Sequence, residues 1–237
     1  MKFVLANFKS YALHLLPYLE HLQKNLSQEL VPYLTLFVPL LELGVCKSAG
    51  VALGAQNAYP AKQGAFTGEI TLHALQELGI SSILIGHSER RLLLGEEPKF
   101  CLEKFNFFKE HGFQIVFCIG ESLATRNLGQ NAVLDYLLGQ LEGLDLSYPK
   151  LILAYEPIWA IGTGVSAQMD EIASTIGGLK QALKSRVKIV YGGSVQVSNA
   201  DSILSLQEVD GVLVGKACLE PRALLDIINI SHTKEFS

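Results

Sequence analysis

The chain is of the α/β class, and its expected architecture is a single closed (β/α)8 barrel over residues 1–237. Three observations lead there. Short, strongly apolar runs recur eight times along 237 residues, the segments between them repeat apolar side chains at helical spacing, and no Pro/Ser-rich linker divides the chain into halves. Apolar runs without polar alternation mark parallel strands buried on both faces. Strand-helix repetition without a linker suits one closed barrel better than two doubly wound domains.

In order, "FVLAN" from Phe3 is the first run. It ends at Asn7 and is too brief for the apolar core of a signal peptide, so it reads as a strand. Leu15, Leu19, Leu22 and Leu26 then mark one face of a helix. "LTLFVP" from Leu34 and "VALGAQ" from Val51 are the next two strands, with little room for a helix between them. "SILIGH" from Ser82 is the fourth, followed by the helical set Phe100, Lys104, Phe107 and Phe108. "QIVFCIG" from Gln114 is the fifth, followed by Val133, Leu137 and Leu141 at helical spacing. "LILAYE" from Leu151, "VKIVYGG" from Val187 and "GVLVG" from Gly211 complete the set.

Composition narrows the partners. The net charge of −4 and the lack of Lys/Arg-rich runs argue against nucleic acid or anionic lipid and for small molecules. No stretch approaches the ~18 uncharged apolar residues of a membrane span. Cys46, Cys101, Cys118 and Cys218 are scattered, with no C-x-x-C and no histidine at zinc-ligand spacing. Neither a disulfide framework nor a metal site is therefore expected, and a cytoplasmic, reducing setting fits best.

In a barrel of this kind the active site lies at the carboxyl ends of the strands. That rule selects Asn7 and Lys9, Gln56-Asn57, Gly86 to Glu89, Cys118 to Glu121, Glu156, Gly192-Gly193-Ser194, and Gly215-Lys216. Glu156, expected to face apolar Ile158, Trp159 and Ile161, reads as a partly desolvated base or as a solvated carboxylate at a stiff strand exit. His87 precedes "SERR", which looks like a helix start whose dipole disfavours imidazolium. It reads as a neutral donor to a carbonyl or as a structural histidine. Lys9 reads as a cation at the barrel mouth or as a solvated lysine. His14, His21, His73 and His111, in helical segments, and His232, in the tail, read as surface or packing residues. The glycine-bearing turns after strands seven and eight are where barrels commonly hold a phosphate on backbone N–H groups.

Together, Asn7-Phe8-Lys9, "AQNAYPAKQGAFTGE" from Ala55, "IGHSERR" from Ile85, "CIGE" from Cys118, "AYEPIWAIGTG" from Ala154, "YGGSV" from Tyr191 and "VDGVLVG" from Val209 resemble the triosephosphate isomerase family. The match spans nearly the whole chain and implies a TIM barrel. The family is itself the general example of an ionised glutamate base beside a neutral histidine, so that pairing comes with the resemblance. The resemblance further implies that Glu156 shuttles a proton between the carbons of glyceraldehyde 3-phosphate and dihydroxyacetone phosphate while His87 polarises the carbonyl oxygens. Lys9 and Asn7 would stabilise the enediolate and seat the substrate. Gly162, Ser194, Gly215 and Lys216 would hold the phosphate. Pro157, Ile158, Trp159, Ala160, Ile161, Gly162, Thr163 and Gly164 would form a mobile lid. The resemblance implies neither metal nor organic cofactor. It implies a homodimer in which the loop from Gln63 to Gly68, with Thr67 near its tip, inserts beside the neighbour's site, and it places Glu89 near the lysine.

Departures from the family pattern are local. Phe8 and Ser10 replace a common Trp and Met, and the chain is slightly short. Lys216 replaces the second glycine of a common pair, so its side chain must point away or add a charge. Val165-Ser166-Ala167 differs from the usual lysine-containing hinge. Competing readings are another phosphate-binding barrel isomerase or epimerase, which metal dependence would favour, and a non-catalytic barrel scaffold, which would be marked by loss of Glu156, His87 or Lys9.

Overall fold

The computed structural model describes residues 1–44, 50–161 and 167–234. Eight parallel strands close into a barrel in sequence order, β1 (Phe3–Asn7), β2 (Leu34–Val38), β3 (Ala52–Ala55), β4 (Ser82–Ile85), β5 (Gln114–Ile119), β6 (Leu151–Tyr155), β7 (Lys188–Tyr191) and β8 (Gly211–Val214). Closure is made by β8 against β1, with Phe3 opposite Gly211 and Ala6 opposite Val214. Every run singled out in the sequence is a strand, the first over its whole length and the others trimmed at one or both ends.

The helices lie outside the strands. They are α1 (Leu15–Asn25), α2 (Leu40–Leu43), α3 (Leu72–Glu77), α4 (Ser88–Leu93), α5 (Pro98–Glu110), α6 (Leu123–Arg126), α7 (Gln130–Gly139), α8 (Met169–Leu183), α9 (Val197–Ser205) and α10 (Pro221–His232). The short spacing between the second and third strands leaves α2 only four residues. In α5 the buried stripe is Cys101, Lys104, Phe105 and Phe108, one step displaced from the expected Phe100 and Phe107. Phe105 wins the core position because its ring packs edge-on against Phe117 of β5 at 6.2 Å between centroids.

Strand parity organises the core. Successive strand side chains point to opposite faces. Leu5, Phe37, Leu84, Val116, Ile152, Ala154, Val190 and Leu213 fill the barrel interior. Their neighbours Val4, Ala6, Leu36, Ile83, Leu153, Tyr155 and Val212 pack in the outer layer under the helices. Burial on both faces is why the sequence reads as continuous apolar runs. Parity then carries past the strand ends: Asn7 and Lys9 continue the inward series of Leu5, Glu156 continues Ala154, Gly192 continues Val190, and Gly215 continues Leu213.

Candidate active site

These inward positions line a cavity of about 910 Å³ that holds Asn7, Lys9, His87, Glu156, Ser194 and Gly215 at the carboxyl end of the barrel. Glu156 is 2 % exposed. Its backbone is clamped by β5: its N–H donates to Ile119 O at 2.7 Å. A Cβ on Gly120 would lie 1.8 Å from the Glu156 carbonyl oxygen, so only glycine admits this approach. A Cβ on Gly192 would meet the Glu156 Cγ at 2.8 Å, which keeps the opposite side glycine as well.

His87 breaks the parity rule, and the reason is local. Gly86 adopts φ +69°, a left-handed turn open to glycine, and this turn brings the next residue into the cavity. His87 then caps α4: its Nδ1 accepts from the Glu89 N–H at 3.3 Å. An accepting Nδ1 carries no hydrogen, so the ring proton sits on Nε2, 3.3 Å from Glu156 Oε1. The Ser88 N–H donates to the other carboxylate oxygen, Oε2, at 3.4 Å. Beneath them, burial pushes the Cys118 thiol well up, with the neighbouring Glu156 charge adding to it, so the sulfur stays neutral.

Lys9 is held in an unusual backbone conformation, φ +51°. A lysine there costs on the order of 1 kcal/mol or more, which surrounding bonds must offset. Its N–H donates to Asn7 Oδ1 at 3.0 Å, and its carbonyl accepts from Gln56 Nε2 at 2.8 Å. Gln56 also reaches Phe37 O at 3.0 Å, tying the lysine turn to the end of β2. The ammonium pairs with Glu89 Oε1 at 2.5 Å. Glutamate, lysine, histidine and asparagine thus meet in one cavity, with a neutral N–H donor facing a carboxylate. Among the described residues no group of three or more His, Cys, Asp or Glu could hold a metal ion.

The family model for triosephosphate isomerase matches residues 2–231. The chain belongs to the triosephosphate isomerase family. A triosephosphate isomerase of Helicobacter pylori (strain Shi470) is 50 % identical over 232 residues, covering 96 % of this chain and 98 % of that protein. That of Wolinella succinogenes is 52 % identical over 205 residues, covering 86 % and 88 %. That of Sulfurovum sp. (strain NBC37-1) is 55 % identical over 176 residues, covering 74 % and 76 %.

Within this triosephosphate isomerase fold, two expectations need correction. Trp159 turns its polar edge to Glu121 and not to Glu156. The indole N–H donates to Glu121 Oε1 at 3.0 Å, and the carboxylate of Glu156 turns to His87 and Ser88 instead. The wholly buried Glu121 attracts the indole because it is a desolvated anion; the same oxygen takes Arg126 Nη2 at 2.7 Å and the Tyr155 hydroxyl at 3.2 Å. Second, His232 lies in α10 rather than in a tail, with its Nε2 3.5 Å from Glu29.

Of the expected lid, Pro157 and Ala160 are buried, Ile158–Ala160 form a 3-10 turn, and Ile161 lines the cavity. Gly162, Thr163 and Gly164, and with them Val165 and Ser166 of the hinge, lie outside the described residues. Lys216 is exposed and lines the cavity beside Gly215. Thr67 is exposed on the loop after β3 and does not line this cavity. Phe8 is buried edge-on against Tyr18, 5.2 Å between centroids, a packing change beside an intact Asn7 and Lys9.

Sequence reasoning left the work of Gln56, Ser88 and Glu121 unassigned. All three follow strand ends, and that position was the only available signal; their partners are backbone groups or come from distant elements.

Proposed function

We propose that the protein is a triose-phosphate isomerase that interconverts D-glyceraldehyde 3-phosphate and dihydroxyacetone phosphate through an enediolate. The observation that carries this reading is the approach of a neutral His87 Nε2–H to the buried Glu156 carboxylate, in a cavity that also holds Lys9 and Asn7. Substrate enters between the two and exchanges their contact for its own. Glu156 removes the proton from the carbon beside the carbonyl, and the electron pair moves onto the carbonyl oxygen. His87 Nε2–H and the Lys9 ammonium stabilise that oxygen, and Asn7 helps seat the substrate. The proton of the adjacent hydroxyl passes to the former carbonyl oxygen, and Glu156 returns its proton to the carbon that carried the carbonyl, so that the carbonyl now lies on the other carbon. Positioned proton transfer of this kind contributes on the order of 10²–10⁴-fold, with preorganised donors supplying much of the remainder.

The phosphate sits on the turns after β7 and β8, where Ser194, Gly215 and Lys216 line the cavity. The reaction requires no cofactor. A coupled assay of purified protein with glyceraldehyde 3-phosphate tests the reading. Steady conversion to dihydroxyacetone phosphate is expected; its absence at micromolar enzyme would refute it.

The working form is a homodimer. A second cavity of about 370 Å³ opens beside the first, shares Asn7, Lys9 and His87 with it, and is also lined by Glu89. The partner's Thr67 loop fills it. Leu41, Leu93 and Leu94 are 86, 77 and 66 % exposed, and Leu94 also lines that cavity. Such apolar exposure is expected of a surface that a second copy covers. Cys101, Cys118 and Cys218 are free thiols, which supports a reducing, cytoplasmic setting.

A further inference from the structure

Lys216 stands in the turn after β8 where the family commonly has glycine, and it lines the cavity. The charged side chains lining the cavity among the described residues are Lys9, Glu156 and Lys216. Lys9 is already paired: its ammonium lies 2.5 Å from Glu89, so the two cancel for an approaching anion. Glu156 contributes an uncompensated negative charge, since the ring facing it is a neutral imidazole by its hydrogen bonds. Of the lining charges, Lys216 is therefore the positive one with no counter-ion among the described residues. Gly215 fixes where the compensating charge sits. A Cβ there would lie 3.7 Å from Lys9 Cε, so the β8 turn and the Lys9 stem form one wall, and Lys216 extends it toward solvent.

We propose that the Lys216 side chain is a substrate-capture residue, whose unpaired ammonium supplies the positive potential that draws the phosphate dianion to the cavity. This rests on the isomerase reading above and adds to it a residue that acts on encounter and affinity rather than on proton transfer. Fields from a charged cleft raise ligand capture and weaken with ionic strength, because screening acts over about 10 Å at 0.1 M salt. That salt dependence separates electrostatic capture from a structural role.

The test compares the full-length protein with Lys216→Gln and Lys216→Arg over ionic strengths from roughly 20 to 500 mM. Lys216→Gln should lose about 3- to 10-fold in kcat/KM for glyceraldehyde 3-phosphate at the low end, mainly through KM. It should come within about twofold of the parent at the high end, and Lys216→Arg should follow the parent throughout. Equal kcat/KM at low salt, or a loss that salt does not relieve, would overturn the proposal. Titration with inorganic phosphate by calorimetry at low ionic strength provides an arm independent of turnover. A Kd raised about 3- to 10-fold in Lys216→Gln supports capture even in a protein that fails to isomerise triose phosphates. An unchanged Kd, or no phosphate binding by the parent, counts against Lys216 itself.

Discussion

Glu156 owes its burial to position as much as to identity. Parity along β6 turns it inward after Ala154, and the neighbouring Gly120 and Gly192 leave room for its backbone and stem. Its carboxylate then finds the His87 N–H and the Ser88 amide. Replacing it by glutamine keeps the shape and removes the proton acceptor. Glu156→Gln is therefore expected to lower kcat by several orders of magnitude, about 10²–10⁴-fold or more, with little change in the Kd of a non-reacting phosphate analogue. Steady-state kinetics beside calorimetry checks this, and near-normal turnover would remove Glu156 from the base role. At this scale the sequence was legible wherever parity held, because Asn7, Lys9, Glu156 and Gly215 each continue an inward strand series. Gln56 was not. Its amide serves two carbonyls, Lys9 O and Phe37 O, and such bonds leave no pattern in sequence.

At the scale of elements, the link between α4 and α5 carries a buried ion network on which the site leans. Glu96 joins Arg90 of α4, at 3.0 Å, to Lys104 of α5, and Lys104 Nζ reaches Asn57 Oδ1 at 2.6 Å at the root of the Thr67 loop. Burial acts to raise the Glu96 carboxyl, but Lys104 and Arg90 outweigh it and hold it below its ordinary value. A carboxylate depressed in the fold contributes stability above its unfolded pKa and loses it as pH falls through the lower folded one. Glu96→Gln should therefore cost about 3 kcal/mol near neutral pH, since it strands the Lys104 ammonium. The gap to the parent should narrow below about pH 4. Urea unfolding at several pH values and fixed protein concentration measures both; a gap independent of pH would show that the network carries no net charge coupling. The spacing of α5 announced a helix with Lys104 on its stripe, but it gave no reason for a lysine to be buried there. Its partners, Glu96 and Asn57, come from other segments, so only tertiary structure reveals why a lysine belongs inside.

For the whole molecule, closure of eight strands brings residues from both ends of the chain, Asn7 and Gly215, to one cavity. The barrel was legible in sequence because its strands are buried on both faces. The proposed second copy rests on family resemblance, since exposed Leu41 and Leu93 look in sequence like any amphipathic residue. A dimer predicts an apparent solution mass of twice the chain. Leu93→Asp should move it toward a single chain in sedimentation at micromolar concentration, and a parent that sediments as a monomer would contradict the interface.

The central claim is proton transfer at Glu156 between the two triose phosphates. NMR of glyceraldehyde 3-phosphate incubated in D2O with the purified protein, beside Glu156→Gln, tests it most directly. The parent should generate dihydroxyacetone phosphate with solvent deuterium in the transferred position and the variant almost none. No conversion or exchange by the parent, or equal rates in both samples, would contradict it.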